Sequence, residues 1–293
     1  MAVPPLYRDF ATVADVEKMY DIEATVPDFG AYAQDFVLRS AAYREQAVAM
    51  LDVQFGPTLE ETYDVFLPSG SEQHGTRPAL FFVHGGYWRA TTSKVWSYIA
   101  KGLTERGYVV AIENYALCPT VTIAEIMRQH RAAYAHFHTH LSAYGVDSNR
   151  IVIGGHSAGG HAVATLLTTD WAGDYALPAV PFAGALAVSS VVDLRPLRYT
   201  FLNSDLRLDA SSAAELSLHD HIPDQAPPTV IAYGSRETPE FERQSAEYAA
   251  ALDQRGHTVD LHRMDNNHFD ILDTLADGQG LLAREVVRLF DMA

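Results

Sequence analysis

A chain of 293 residues with 48% hydrophobic and 20% charged side chains has ordinary globular composition, which excludes a disordered or fibrous class and leaves room for one large core or two small ones. Its 37 acidic against 21 basic residues give a formal charge of −16, so nucleic-acid backbones and anionic membrane surfaces are excluded as partners. Cys118 is the only cysteine, which excludes an intrachain disulfide and a thiolate-rich metal site.

The first twenty residues intersperse Arg8, Asp9, Asp15, Glu17 and Lys18 and contain no apolar leader segment. No run approaches the roughly eighteen apolar residues of a membrane span. A cytoplasmic protein is expected.

Residues 1–50 place Tyr7, Phe10, Tyr20, Phe29, Tyr32, Phe36 and Tyr43 among charges, with helical spacing clearest from Ala31 to Met50. They read as a helical N-terminal arm that either covers a sheet edge or walls a pocket with aromatic faces. Leu51 to Phe55 and Glu61 to Leu67 alternate like half-buried antiparallel strands around a Gly56-Pro57 turn, and Pro68 and Gly70 end them. Ala79 to Val83 is a continuous apolar run, as expected of a strand covered on both faces, and it stops at His84-Gly85-Gly86-Tyr87-Trp88.

From there strands and helices alternate. Ser93 to Arg106 reads as helix ending at Gly107, and Tyr108 to Ile112 as strand. Thr122 with Glu125 reads as a capping box opening a long helix closed by Gly145. Ile151 to Ile153 is a buried strand that breaks at Gly155-His156-Ser157-Ala158-Gly159-Gly160 into a helix. Ala183 to Ser189 is another strand. Residues 192–223 have little strand character and read as a cap-like insertion over the carboxyl ends of the strands. Strand Thr229 to Tyr233 leads to Glu237, and Thr238 caps a helix with Pro239 in its first position. Strand Thr258 to Met264 leads to His268, and the remainder is helical. The pattern is one α/β domain over 1–293, a mostly parallel central sheet with helices on both faces and a small cap insertion.

In such sheets chemistry collects where strands end. Gly-X-Ser-X-Gly between a strand and a helix forces Ser157 into a strained turn that exposes its hydroxyl beside the Ala158 amide, although a Gly-rich turn with a capping serine is the simpler alternative. The order Ser157, Glu237, His268 is that of the α/β-hydrolase fold. A serine hydroxyl needs a base to attack a carbonyl at neutral pH, which assigns His268 as base and Glu237 as the carboxylate that orients it. Gly85 and Gly86, without side chains, let backbone amides join that of Ala158 in an oxyanion hole.

At these residues the chain resembles the kynurenine formamidase (arylformamidase) family, in His-Gly-Gly-Tyr-Trp at 84–88, Gly-His-Ser-Ala-Gly-Gly at 155–160, Glu-Thr-Pro-Glu-Phe-Glu-Arg-Gln-Ser at 237–245 and Asn-His-Phe-Asp-Ile at 267–271. Asp52-Val53-Gln54-Phe55-Gly56 and Asp193-Leu194-Arg195-Pro196-Leu197 resemble weaker parts of the same pattern. The resemblance extends to bacterial N-acylanthranilate amide hydrolases. It implies an α/β-hydrolase with no metal and no cofactor, acting on an amide or ester of an aromatic amine or alcohol in aromatic degradation. Glu237 stands where the family usually has aspartate, and Ser217-Leu218 replaces its Ser-Pro, which suggests an altered pocket.

The expected substrate is an N-acylated anthranilate, with N-formylkynurenine as the alternative. A catalytically silent ligand-binding protein is the alternative of another class. Tyr87 and Trp88 read as pocket wall, and Arg195, Arg198 and Arg207 of the insertion as candidates to receive a substrate carboxylate. Asp193 is the rival acid. His84 and His156 read as loop-holding groups, Cys118 as a buried thiol, and His136, His138 and His140 lack the spacing of a metal site. A homodimer is left open.

Overall fold

A computed structural model describes residues 5–69 and 75–292; the expected turn residue Gly70 and the first four residues of the arm lie outside that range. Eight strands form one sheet: β1 (Val48–Gln54), β2 (Thr62–Leu67), β3 (Arg77–Val83), β4 (Val109–Glu113), β5 (Val146–His156), β6 (Gly184–Val188), β7 (Thr229–Gly234) and β8 (Val259–Met264). Their order across the sheet is β1-β2-β4-β3-β5-β6-β7-β8. Only β2 runs against its neighbours; β4 and β3 through β8 are parallel.

The apolar runs are strands because they are covered on both faces. In β3, Ala79, Phe81 and Val83 enter one core while Leu80 and Phe82 enter the other, and β4, β5 and β6 divide in the same way. The six principal helices are α1 (Val13–Tyr20), α2 (Phe29–Gln46), α3 (Ile123–Thr139), α4 (Ala158–Leu167), α5 (Pro239–Gln254) and α6 (Leu281–Asp291). Val83 pairs with Gly155, His156 with Val188 and Gly234 with Met264. That register brings the carboxyl ends of five parallel strands to one edge of the sheet.

Several local expectations are corrected. Helix α2 stops at Gln46, and Val48 to Met50 belong to β1, an edge strand with much of its surface exposed rather than half-buried. Residues 93–106 are not one helix but two 3-10 turns, Ser93–Val95 and Ser97–Ala100, followed by a short helix Lys101–Thr104. The cause is Ser40 of α2, whose hydroxyl donates to the Val95 carbonyl at 2.6 Å and accepts from the Tyr98 amide at 3.2 Å, taking up groups that a continuous helix would use itself. Thr122 caps α3 through the Glu125 amide, but the Glu125 carboxylate turns to Arg128 and Gln129 instead of closing a capping box. Thr238 donates its hydroxyl to the Met19 carbonyl instead of capping α5. Residues 192–223 form only short turns and helices, with Leu194, Leu197, Leu202, Leu206 and Leu208 buried.

The approach of β3, β5 and α4 is set by glycine. A Cβ on Gly155 would be driven into the Gly159 carbonyl, and one on Gly159 into the Val83 carbonyl. Gly159→Ala therefore overpacks backbone against backbone, and we expect a loss of about 1–3 kcal/mol, read as a lowered midpoint in urea unfolding. A Gly159→Ala protein as stable as wild type would show that this approach is slack.

Candidate active site

Ser157 follows β5 at φ 58° and ψ −118°, a conformation that side-chain-bearing residues adopt only under tertiary constraint. Its amide is held by the Val188 carbonyl at 2.9 Å, and the Gly160 amide returns to the Ser157 carbonyl at 2.9 Å. Ala158 begins α4, whose first-turn amides have no acceptor within the helix. Ser157 is thus offered at a helix N-terminus, on the floor of a cavity of about 360 Å³.

The turn after β3 faces it. An added Cβ on Gly85 would lie 2.9 Å from the Ser157 Cβ, and one on Gly86, at φ 121°, would strike the Ala90 carbonyl. Tyr87, Trp88 and Thr91 also have positive φ. What holds this strained turn is visible at the Gly85 carbonyl, which accepts from His84 Nδ1 at 2.7 Å and Thr91 Oγ1 at 3.0 Å; Trp96 Nε1 in turn donates to Thr91 Oγ1 at 3.1 Å. That carbonyl shares its peptide plane with the Gly86 amide, so side chains clamped on one end fix the direction of the N–H at the other.

His268, on the loop after β8, lines the same cavity. Asn267 shapes that loop by accepting the Phe269 and Asp270 amides at 2.8 and 3.0 Å. Glu237 Oε2 lies 3.6 Å from His268 Nδ1, both side chains are buried, and neither atom has a hydrogen-bond partner. The rings of His156 and Phe241 flank His268 at 4.5 and 4.6 Å. His156 is buried with both ring nitrogens unpartnered, and burial, reinforced by the neighbouring His268, keeps its pKa well below the ordinary range.

Asp193 is placed elsewhere. It is bonded to Tyr7, accepts from Arg195 Nε at 2.9 Å and lies 3.6 Å from Arg243. Burial works against its ionisation, but the bonds from Arg195 and Tyr7 prevail and hold its pKa below the usual value. It joins the arm to the insertion and α5, away from His268.

The expected binding residues divide. Tyr87 lines the cavity and donates its hydroxyl to the Tyr20 carbonyl at 3.0 Å. Trp88 does not: it is fully buried, edge-on to His161 at 5.3 Å. Arg195 is engaged by Asp193 and Asp220, Arg198 lies over the Tyr199 ring, and Arg207 ends a short helix in the left-handed region. None of the three lines the cavity. The cation that does is Arg89, paired with Asp205 of the insertion at 2.7 Å. The sequence reading missed it, although its position directly after the glycine turn was a usable signal.

The cavity walls are largely aromatic: Phe29 and Phe36 of the arm, Trp96, Phe201 and Phe269. Both roles read for the arm are seen: it walls the pocket, and its Tyr43 packs on Phe66 of β2, next to the edge strand, with ring centroids 5.4 Å apart. Asp21 and Glu23 of the arm add carboxylates to the lining. His136 and His140 stack at 4.0 Å, and among the described residues no three His, Cys, Asp or Glu side chains converge as metal ligands. Cys118 is buried, and burial pushes its thiol up to about 11.

Burial also pushes the pKa values of His84 and His161 down to about 4 from 6.5. Between these values the unfolded chain binds protons that the native protein refuses, so stability contributed by the neutral rings is present above pH 6.5 and declines as pH falls toward 4. We expect the two to remove on the order of 3 kcal/mol between pH 6.5 and 5, measured as urea midpoints against pH. A midpoint that does not fall over that range would contradict this.

The model of the BD-FAE family matches residues 63–252. The kynurenine formamidase of Danio rerio is 28% identical over 263 residues, 86% of each chain. A protein from Silicibacter sp. TM1040, provisionally described as a thioesterase, is 28% identical with a TM-score of 0.80, covering 93% of this chain and 98% of that one. An esterase of Pyrobaculum calidifontis, 16% identical over 92% of this chain and 94% of its own with a TM-score of 0.70, shares the fold. The architecture is the α/β-hydrolase fold.

Proposed function

We propose that this chain, which belongs to the BD-FAE family, is a serine hydrolase that cleaves aryl acylamides, and the corresponding aryl esters, through an acyl-enzyme. The observation that carries the reading is that Ser157 and His268 line one cavity with aromatic walls, with Glu237 behind His268 and the Gly85-Gly86 turn against Ser157.

In this reading Ser157 Oγ attacks the acyl carbon while His268 takes its proton, and the negative charge gathers on the former carbonyl oxygen. The amides of Gly86 and Ala158 receive that oxygen; one such donor is typically worth about 3–4 kcal/mol in the transition state. His268 then protonates the departing amine. Glu237 holds the imidazole with its proton on Nδ1 and stabilises the cation formed in transit. Water repeats the sequence on the acyl-enzyme. An anilide suits this machinery because its nitrogen lone pair is shared with the ring, which weakens amide resonance and improves the leaving group.

N-formylkynurenine and N-acylated anthranilate are the two leading substrates. Arg89 offers a partner for a carboxylate, while Asp21 and Glu23 suit the ammonium of an amino-acid side chain, a combination that favours N-formylkynurenine. The similarity to a protein named kynurenine formamidase supports the same choice. Longer N-acylanthranilates are favoured by the half-exposed apolar rim of Val37 and Phe201, which could receive an acyl chain. Hydrolysis of N-formylkynurenine beside N-formyl-, N-acetyl- and N-octanoyl-anthranilate ranks them. Failure to turn over any of these or an aryl ester would leave a silent binding protein.

Ser157→Ala should abolish turnover, since loss of a triad nucleophile costs about a millionfold in serine proteases, and Glu237→Gln should lower kcat roughly a thousandfold or more. Asp193→Asn should act on stability rather than kcat. Reversal of the two acid results would move the triad acid to Asp193. Arg89→Met should raise KM for a carboxylated anilide about tenfold, equivalent to about 1.4 kcal/mol, and leave KM for an uncharged aryl ester unchanged. Equal effects on both substrates would place carboxylate recognition away from Arg89.

A further inference from the structure

The carboxylate of Glu237 is held from behind as well as faced from the front. From this geometry we infer that Ser189 is a positioning residue for Glu237: its hydroxyl fixes one carboxylate oxygen so that the other is presented to His268. The inference rests on Glu237 being the acid of the triad.

Ser189 is the first residue after β6. It is fully buried and sits at φ 48°, in the left-handed region where a Cβ is unfavourable and glycine is relaxed. Its amide donates to the Ala232 carbonyl at 2.7 Å, and its hydroxyl donates to Glu237 Oε1 at 2.5 Å. The Gly234 amide adds a second donor to the same oxygen at 3.1 Å. With two donors on Oε1, the plane of the carboxylate is set, and Oε2 is left with no donor except the His268 Nδ1 it faces at 3.6 Å.

No neighbouring side chain can take over this task from the β7 end. A Cβ on Gly234 would lie 3.0 Å from Glu237 Oε1 and would run into the Asn266 carbonyl. Glutamate also has one more rotatable bond than aspartate, so more conformational freedom must be removed to hold its carboxylate still. A charge-assisted bond from a rigid strand end supplies that order. The same strand end holds the Ser157 amide through the Val188 carbonyl at 2.9 Å, so nucleophile and acid are referenced to one piece of backbone.

The positive φ provides the control. Ser189→Gly removes the hydroxyl while relaxing the backbone, whereas Ser189→Ala removes it and keeps the strain. If the hydroxyl positions the acid, both variants should lose kcat by roughly tenfold to a hundredfold on an aryl amide, the range expected for a hydrogen bond to a charged group, with KM within about twofold. The melting temperature of Ser189→Gly should lie above that of Ser189→Ala, because both lose the hydroxyl and only glycine relaxes the backbone. In the double variant Ser189→Gly with Glu237→Gln, kcat should match that of Glu237→Gln alone, because residues acting as a unit are not additive. A Ser189→Gly enzyme with wild-type kcat, or a double variant whose losses multiply, overturns the inference. Full activity in Glu237→Gln alone is a different result: it overturns the triad assignment itself, and the positioning role with it.

Discussion

Three backbone segments meet at Ser157 more closely than any side chain would allow, and the rest of the site depends on that approach. Gly85 lies against the Ser157 Cβ, Gly155 against the Gly159 carbonyl, and Gly159 against the Val83 carbonyl. Because β3 and β5 are parallel neighbours with Val83 opposite Gly155, the turn after one strand and the nucleophile after the other are neighbours too. The parallel register from β5 to β8 then brings Ser189, Glu237 and His268 to the same edge. The candidate site is distributed over five loops, but its geometry is set by one sheet.

Above that edge the arm completes the cavity, and polar bonds fix where it lies. The Tyr87 hydroxyl holds the Tyr20 carbonyl, Thr238 holds Met19, and the Tyr20 hydroxyl reaches Glu240 at 2.7 Å. The segment contributing Ile22 and Glu23 to the cavity is therefore tied to both the Gly85-Gly86 turn and the start of α5, beside Glu237. Farther along, Ser40 and Arg44 of α2 bind the 93–97 segment, which carries the wall residue Trp96. The cavity wall and the turns that carry Ser157 and Glu237 are built on shared supports.

Much of this was legible in the sequence, for physical reasons that also explain the misses. Parallel strands buried on both faces leave continuous apolar runs, so β3 through β7 could be read directly, and residue types abnormal at strand ends marked Ser157, Glu237 and His268. The break in 93–106 was invisible because Ser40, which stabilises it, is more than fifty residues away in the chain. Arg195 was misassigned to the pocket because its orientation is decided by Asp193 and Asp220 rather than by local periodicity. Ser189 was read only as the end of a strand; its short bond to Glu237 joins loops forty-eight positions apart.

The account stands on Ser157 being a nucleophile activated by His268. Reaction with a fluorophosphonate, followed by intact mass and peptide mapping, tests this most directly. One adduct per chain on Ser157, formed much more slowly in His268→Ala, is the expected result. A label on another residue, or equal rates with and without His268, would contradict it.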